Sequence, residues 1–194
     1  MGRLFDLVRE KAHQRSITIT TYPAGQDNVL VEGVLVDRRF KENYLITGEK
    51  RPIGEFHHMA ILILVNSTTM KIEDVDVEII TVPRDECLKI KDSLEVIKGE
   101  QITRGFTQRI QSLIGKDKSC AHLRSLLLSM SSAAIQGAFS IRAQQPLDFR
   151  LVINNPHFEK AVMGTLVNTC HVWRENGPEY RKVLDMVEQA RGKL

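Results

Sequence analysis

The stretch that most constrains this chain is Met59-Ala60-Ile61-Leu62-Ile63-Leu64-Val65, seven consecutive apolar residues behind the pair His57-His58. It is far short of the roughly 20 residues that span a bilayer. An unbroken apolar run of this length reads as a strand covered on both faces, hence one central to a sheet. His57-His58, the chain's one pair of adjacent histidines, stands at its N-terminal mouth. Imidazole titrates near neutrality and is a common metal ligand. The pair therefore reads as a site on the sheet's rim or, more plainly, as the polar entry where burial starts.

Patterning on either side of that run gives a fold class. Residues 3–13 are expected to form a short helix with Leu4, Leu7 and Val8 on one side. Ser16 to Tyr22 is β-branched and alternating, a first strand. Pro23 to Asn28 supplies a turn, and Val29 to Asp37 alternates as a second strand. Arg38 to Glu55 is a loop long enough to imply a purpose, with Tyr44-Leu45-Ile46 as an extra short strand inside it. The central strand, the turn Asn66 to Thr69 and a fourth strand from Lys71 to Ile80 follow; an irregularity at Asp74 suggests a bulge.

After Pro83 the pattern turns helical. Expected helices cover 86–97, closed by Gly99, and a segment capped by Thr103 and ended by Gly115. A longer one begins near Ser119 and carries Leu123, Leu126, Leu127, Met130, Ala134 and Phe139, its small residues allowing close approach to the sheet. A fourth places Val162, Leu166, Val167, Cys170 and Trp173 on one stripe, and a last runs from Tyr180 to Ala190. Strands first and helices afterwards make an α+β fold: an antiparallel meander of about four strands with four to five helices packed on one face. One domain, 1–194, accommodates it, with the sheet in 14–83, a helical layer in 84–145 and a C-terminal helical extension in 146–194.

Charge and cysteine usage narrow the partners. Net charge is +3, and no basic stretch is interleaved with aromatics, which argues against nucleic acid. No membrane-spanning or secretory segment stands out, so the expected location is the cytoplasm. Cys87, Cys120 and Cys170 are far apart and odd in number, the usage of reduced thiols rather than a disulfide framework. Five cations between Arg104 and Arg124 (Arg104, Arg109, Lys116, Lys118, Arg124) face one acid, Asp117, and form a local field for an acidic partner.

The chemistry-bearing residues gather around the same rim. Cys120-Ala121-His122 opens a helix after Lys116 and Lys118, so the helix dipole and the lysines should lower the thiol's pKa. Cys87 follows the fourth strand at another helix start, and an antiparallel hairpin puts the start of strand three beside the end of strand four. His57, Cys87, Cys120 and His122 can then converge, two imidazoles and two thiolates, a set suited to zinc or an iron-sulfur unit. The alternative for each is a buried cysteine or a solvated histidine; Cys170 reads as core on its helical stripe. No P-loop, dinucleotide fingerprint, nucleophile elbow or His-Glu-x-x-His is present.

Two resemblances extend this reading. Val65-Asn66-Ser67 through Ile72-Glu73-Asp74-Val75, with a cysteine at each of two later helix starts, resembles the NifU and IscU iron-sulfur cluster assembly scaffolds of the SufE/NifU superfamily. That resemblance covers roughly 55–134 and implies their fold, with Cys87 and Cys120 matching two scaffold cysteines and His57 falling at the scaffold aspartate. It also implies a partner from the sulfur or iron-sulfur machinery. Glu55 stands near the first scaffold cysteine, and Gly115-Lys116-Asp117-Lys118 replaces the chaperone-binding motif. More of the chain resembles a bacterial family known only as a domain of unknown function. That resemblance rests on His57-x-Met59, Gly105-Phe106, Cys120-Ala121-His122-Leu123, Ala134-Ile135-Gln136 and Asn168-Thr169-Cys170. It implies that His57, Cys120, His122 and Cys170 act together, with Cys170 as a further ligand.

The expectation is therefore a metal-binding protein in a scaffold or sulfur-handling role, with zinc or an iron-sulfur cluster held by His57, Cys87, Cys120, His122 and Cys170. A cysteine-dependent enzyme using Cys120 with a neighbouring histidine, and a metal-free interaction module using the cationic 104–124 segment, are the alternatives.

Overall fold

A computed structural model of the protein describes residues 2–146, 164 and 166–191. The chain divides into two compact units, Met1–Arg142 and Ala143–Leu194. The first is α+β and is built on a four-stranded antiparallel sheet whose strands follow in spatial order. Its strands are β1 (His13–Ala24), β2 (Asn28–Arg39), β5 (Gly54–Asn66) and β6 (Ile72–Thr81). Between β2 and β5 the long loop folds back as a two-residue pair, β3 (Asn43–Tyr44) with β4 (Lys50–Arg51). The expected meander is present, with the apolar run at the middle of β5, flanked by β2 and β6.

Period-two alternation explains why the sheet has one deeply buried face. Val29, Val31, Gly33, Leu35 and Asp37 of β2 are buried while the residues between them are only half so. On β5, Met59, Ile61, Ile63 and Val65 are almost wholly buried and share the core with Ile72 and Val75 of β6. Burial of a side chain of this size contributes about 1.5–3 kcal/mol. The irregularity expected at Asp74 is a bulge: Leu64 faces Asp74 but Val65 faces Ile72. In the β5–β6 turn, Asn66 Oδ1 accepts hydrogen bonds from the amides of Thr68 and Thr69 at 3.1 and 2.9 Å.

The helical layer differs from expectation in ways with local causes. The N-terminal segment forms only a 3-10 turn, Arg3–Leu7, with Leu4, Leu7 and Val8 exposed, because its apolar residues meet no partner surface. Residues Asp85–Ile97 form a 3-10 rather than an α-helix, which accounts for their mixed apolar spacing. Helix α1 (Phe106–Ile114) is entered through Gly105 at φ 83°, so Gly105 and not Thr103 is its N-cap; Thr103 contributes its carbonyl to the Phe106 amide. Helix α2 (Ala121–Arg142) is the long one, and it lies on β2, β1 and β5.

Two glycines let α2 seat so closely. A Cβ on Gly33 would stand 2.4 Å from Met130 Sδ, and one on Gly137 would stand 2.5 Å from Thr21 Oγ1. Leu123, Leu126, Leu127, Met130 and Ala134 of α2 are fully buried in the resulting core. Of the cationic segment, Arg109 is committed to Glu100 Oε2 at 2.8 Å and Lys118 to the Ser112 carbonyl at 3.0 Å.

In the second unit, α3 spans Pro178–Arg191 and buries Val187. The expected fourth helix does not continue through Cys170. Asn168 adopts φ 61° and its amide bonds back to the Trp173 carbonyl, so 167–175 is a compact turn and Cys170 is exposed rather than core. Val162 of the expected stripe lies outside the described residues.

Candidate functional site

The inward columns of β2 and β5 both end in polar residues. After Leu35 the next inward position of β2 is Asp37, and after Met59 the next inward position of β5 is His57. The register pairs Leu35 with Met59 and Asp37 with His57, while β1 places Arg15 beside Asp37. Arg15, Asp37 and His57 thus form one polar rung across three strands, where the apolar core stops.

Asp37 is the hub of that rung and is only 3% exposed. Arg15 donates from Nε to Oδ1 at 2.7 Å and from Nη2 to Oδ2 at 2.8 Å, a bidentate charge-assisted pair. His57 Nδ1 stands 3.1 Å from Oδ2, and His13 Nε2 stands 3.3 Å from Oδ1. Burial, the largest single influence, pushes the carboxyl's pKa up, but the Arg15 guanidinium and then His57 outweigh it and hold the group at about 2. A carboxylate can only accept, so its presence makes His57 Nδ1 the protonated nitrogen and leaves Nε2 with the lone pair. Burial and the neighbouring His122 together keep the His57 pKa below its ordinary value, against the pull of Asp37.

The N-terminus of α2 covers this rung. His122 Nε2 lies 3.6 Å from Asp37 Oδ2, and the His122 and His57 rings are 3.9 Å apart between centroids. The donor atoms of Asp37, His57 and His122 all lie within 4.8 Å of one another. Cys120, immediately before α2, accepts the His122 amide on Sγ at 3.3 Å and lies 3.2 Å from His122 Nδ1. Burial pushes the thiol up, yet His122 and the amides of His122 and Leu123 outweigh it, and the pKa is lowered. The lowering comes from the helix start and the imidazole, as that position allows, rather than from Lys116 or Lys118.

Beside the cluster is a cavity of about 250 Å³ lined by His57, Cys87, Cys120 and His122, with Met59, Ile79, Val82 and Ile90 among its apolar residues. The four residues expected to converge at the rim therefore share one cavity. Cys87 is half-buried there, on the 3-10 segment after β6. Cys170, expected as a further ligand, lies in the second unit and is exposed. Asp37, Arg15 and His13 were not anticipated as site residues. The signal for Asp37 was present, since it continues the inward phase of Val31, Gly33 and Leu35 and is the one buried charged residue among those described.

Among the described residues no helix is long and apolar enough to cross a membrane. No curated protein and no solved structure matches the chain. The model of one family matches residues 13–136, from the first residue of β1 into α2, a span that holds every residue of the cluster and excludes Cys170. On that match the chain belongs to the family described as Protein of unknown function (DUF2889).

Proposed function

We propose that this protein binds a single divalent transition metal, zinc by preference, through Asp37, His57 and His122. The observation that carries the reading is the compactness of those three donors. Oδ2 of Asp37 is 3.1 Å from His57 Nδ1 and 3.6 Å from His122 Nε2. Tetrahedral zinc with bonds of about 2.0–2.2 Å sets neighbouring ligand atoms roughly 3.3–3.5 Å apart. The Asp37–His122 edge therefore needs little rearrangement, whereas the Asp37–His57 edge forms only when the metal displaces the Nδ1 proton that Asp37 holds, His57 passing to its Nε2–H tautomer. Two imidazoles and a carboxylate, with a cavity alongside, form the ligand pattern of metal sites that keep a coordination position open.

Arg15 opposes a cation here, and Cys120, whose pKa is lowered, lies 3.2 Å from His122 and would offset that charge when ionised. Zinc is preferred over an iron-sulfur unit because the three close donors are oxygen and nitrogen, whereas a cluster would need Cys87 and Cys120 as ligands. A NifU/IscU-like scaffold role, with a partner from the sulfur machinery, remains part of the proposal. Its support is the antiparallel meander running into helices with a cysteine at the start of the long one. Protein prepared without a metal-chelating tag and reconstituted with zinc should retain about one equivalent after desalting, and the His57→Ala/His122→Ala variant should retain almost none. Uptake below about 0.2 equivalent by fully reduced wild-type protein overturns the reading.

One observation favours a second reading, that of Cys120 as a nucleophile with His122 as its base: the 3.2 Å contact between Sγ and Nδ1. In metal-free protein, the rate of Cys120 alkylation by iodoacetamide should reach half its plateau below the ordinary thiol value of about 8.5. A midpoint at or above that value removes this reading.

A further inference from the structure

The cavity beside the metal group has a lining of two chemical kinds. His57, His122, Cys120 and Cys87 supply its polar groups, and Met59, Ile79, Val82, Ile90 and Ala121 supply apolar lining. No Lys, Arg, Asp or Glu lines it. Met59 is 2% exposed and the half-buried Ile79 and Ile90 pack against the core, so three of the four apolar residues belong to its edge. Such a space rejects a ligand carrying charge or hydrogen-bonding groups at both ends, because the far end would be desolvated without a partner. Its size is below that of drug-sized ligand pockets, which begin at about 300 Å³. Since one water occupies about 30 Å³ of liquid, the cavity holds a ligand of roughly eight heavy atoms.

We propose that this cavity receives a small, predominantly apolar molecule with one polar end, its hydrocarbon part against Met59, Ile79, Val82 and Ile90 and its polar end toward His57 and His122. The orientation rests on the metal reading above, since the open coordination position would take the polar end. The apolar selectivity does not rest on it, because the apolar lining is formed by the protein alone.

The matched pair 1-pentanol and 1,5-pentanediol tests this, since the two differ by one hydroxyl at the far end. Titration is followed by the Met59 methyl resonance of protein labelled with methyl-13C methionine, in zinc-loaded and zinc-free samples. The Met59 resonance should shift on saturation with pentanol, and the diol should bind at least about tenfold more weakly, the effect of one unpaired hydroxyl of about 1.4 kcal/mol. Ile90→Trp and Val82→Trp should each remove the Met59 shift while leaving zinc uptake at the wild-type level. Equal affinity for the two alcohols, or an unmoved Met59 resonance in both samples, overturns the proposal. Absent zinc uptake with pentanol selectivity intact sinks the metal reading and the assigned orientation, but leaves the apolar selectivity standing.

Discussion

Replacing Asp37 by Asn is expected to lower stability by about 2–4 kcal/mol and to abolish stoichiometric zinc retention. The amide preserves shape but cannot accept the bidentate Arg15 fork, and its NH2 faces donors on Arg15 and His57. Arg15 keeps some solvent, its side chain being 37% exposed, so the cost falls short of that for a fully buried orphan charge. The pH signature separates this effect from a simple packing defect. Asp37 titrates at about 2 in the folded protein against an ordinary 3.8. A depressed folded-state pKa contributes stability above the unfolded value, and that contribution is lost as pH falls from 3.8 through about 2. The stability gap between wild type and Asp37→Asn should therefore be widest above pH 4 and shrink on acidification. Chemical denaturation at several pH values measures it. A gap that stays constant down to pH 2 would show that the ionised carboxylate is not what stabilises the rung.

Gly137→Ala should destabilise the fold even though it places a better helix former in the interior of α2. Helix propensity favours Ala by about 1 kcal/mol. Against that, the new methyl would meet Thr21 Cγ2 and Oγ1 at 2.5 Å and Cβ at 2.6 Å, the stem of a β-branched side chain with no room to swing aside. Either α2 lifts from the sheet, thinning the contacts of Leu123 to Ala134, or β1 moves and strains its pairing with β2. Overpacking of this kind costs roughly 1–3 kcal/mol, so the net change is destabilisation of about 1 kcal/mol, a few degrees in thermal midpoint for a chain of this size. Gly33→Ala lacks the helical compensation and should be worse, since Met130 at 2.4 Å is itself fully buried. A thermal midpoint raised by Gly137→Ala would show that the helix–sheet contact yields more readily than its geometry implies. Lifting α2 would also carry Cys120 and His122 away from Asp37, so zinc retention should weaken in step with stability.

Much of this was legible in the chain itself. The unbroken run Met59 to Val65, the alternation of β2 and the turn at Asn66 required an antiparallel sheet with a buried middle strand. Gly115, and the stripe from Leu123 to Ala134, marked the helices that cover it. That His57, Cys87, Cys120 and His122 share one rim was also legible, because each stands at or near the start of an element. Asp37 escaped notice as a site residue because an aspartate ending a strand is commonplace. Its meaning comes from sitting opposite His57 and Arg15, and that depends on register, which a period of two leaves open by any even slip. The reading of Cys170 as core failed for the complementary reason. A helical stripe can be written through it, but the left-handed turn at Asn168 ends the helix first. Sequence alone determined which residues can bury and where the elements carrying the histidines and cysteines begin. The tertiary structure decided that Arg15, Asp37, His57 and His122, from three strands and a helix start, meet at one point, because long-range pairing rather than local spacing sets those distances.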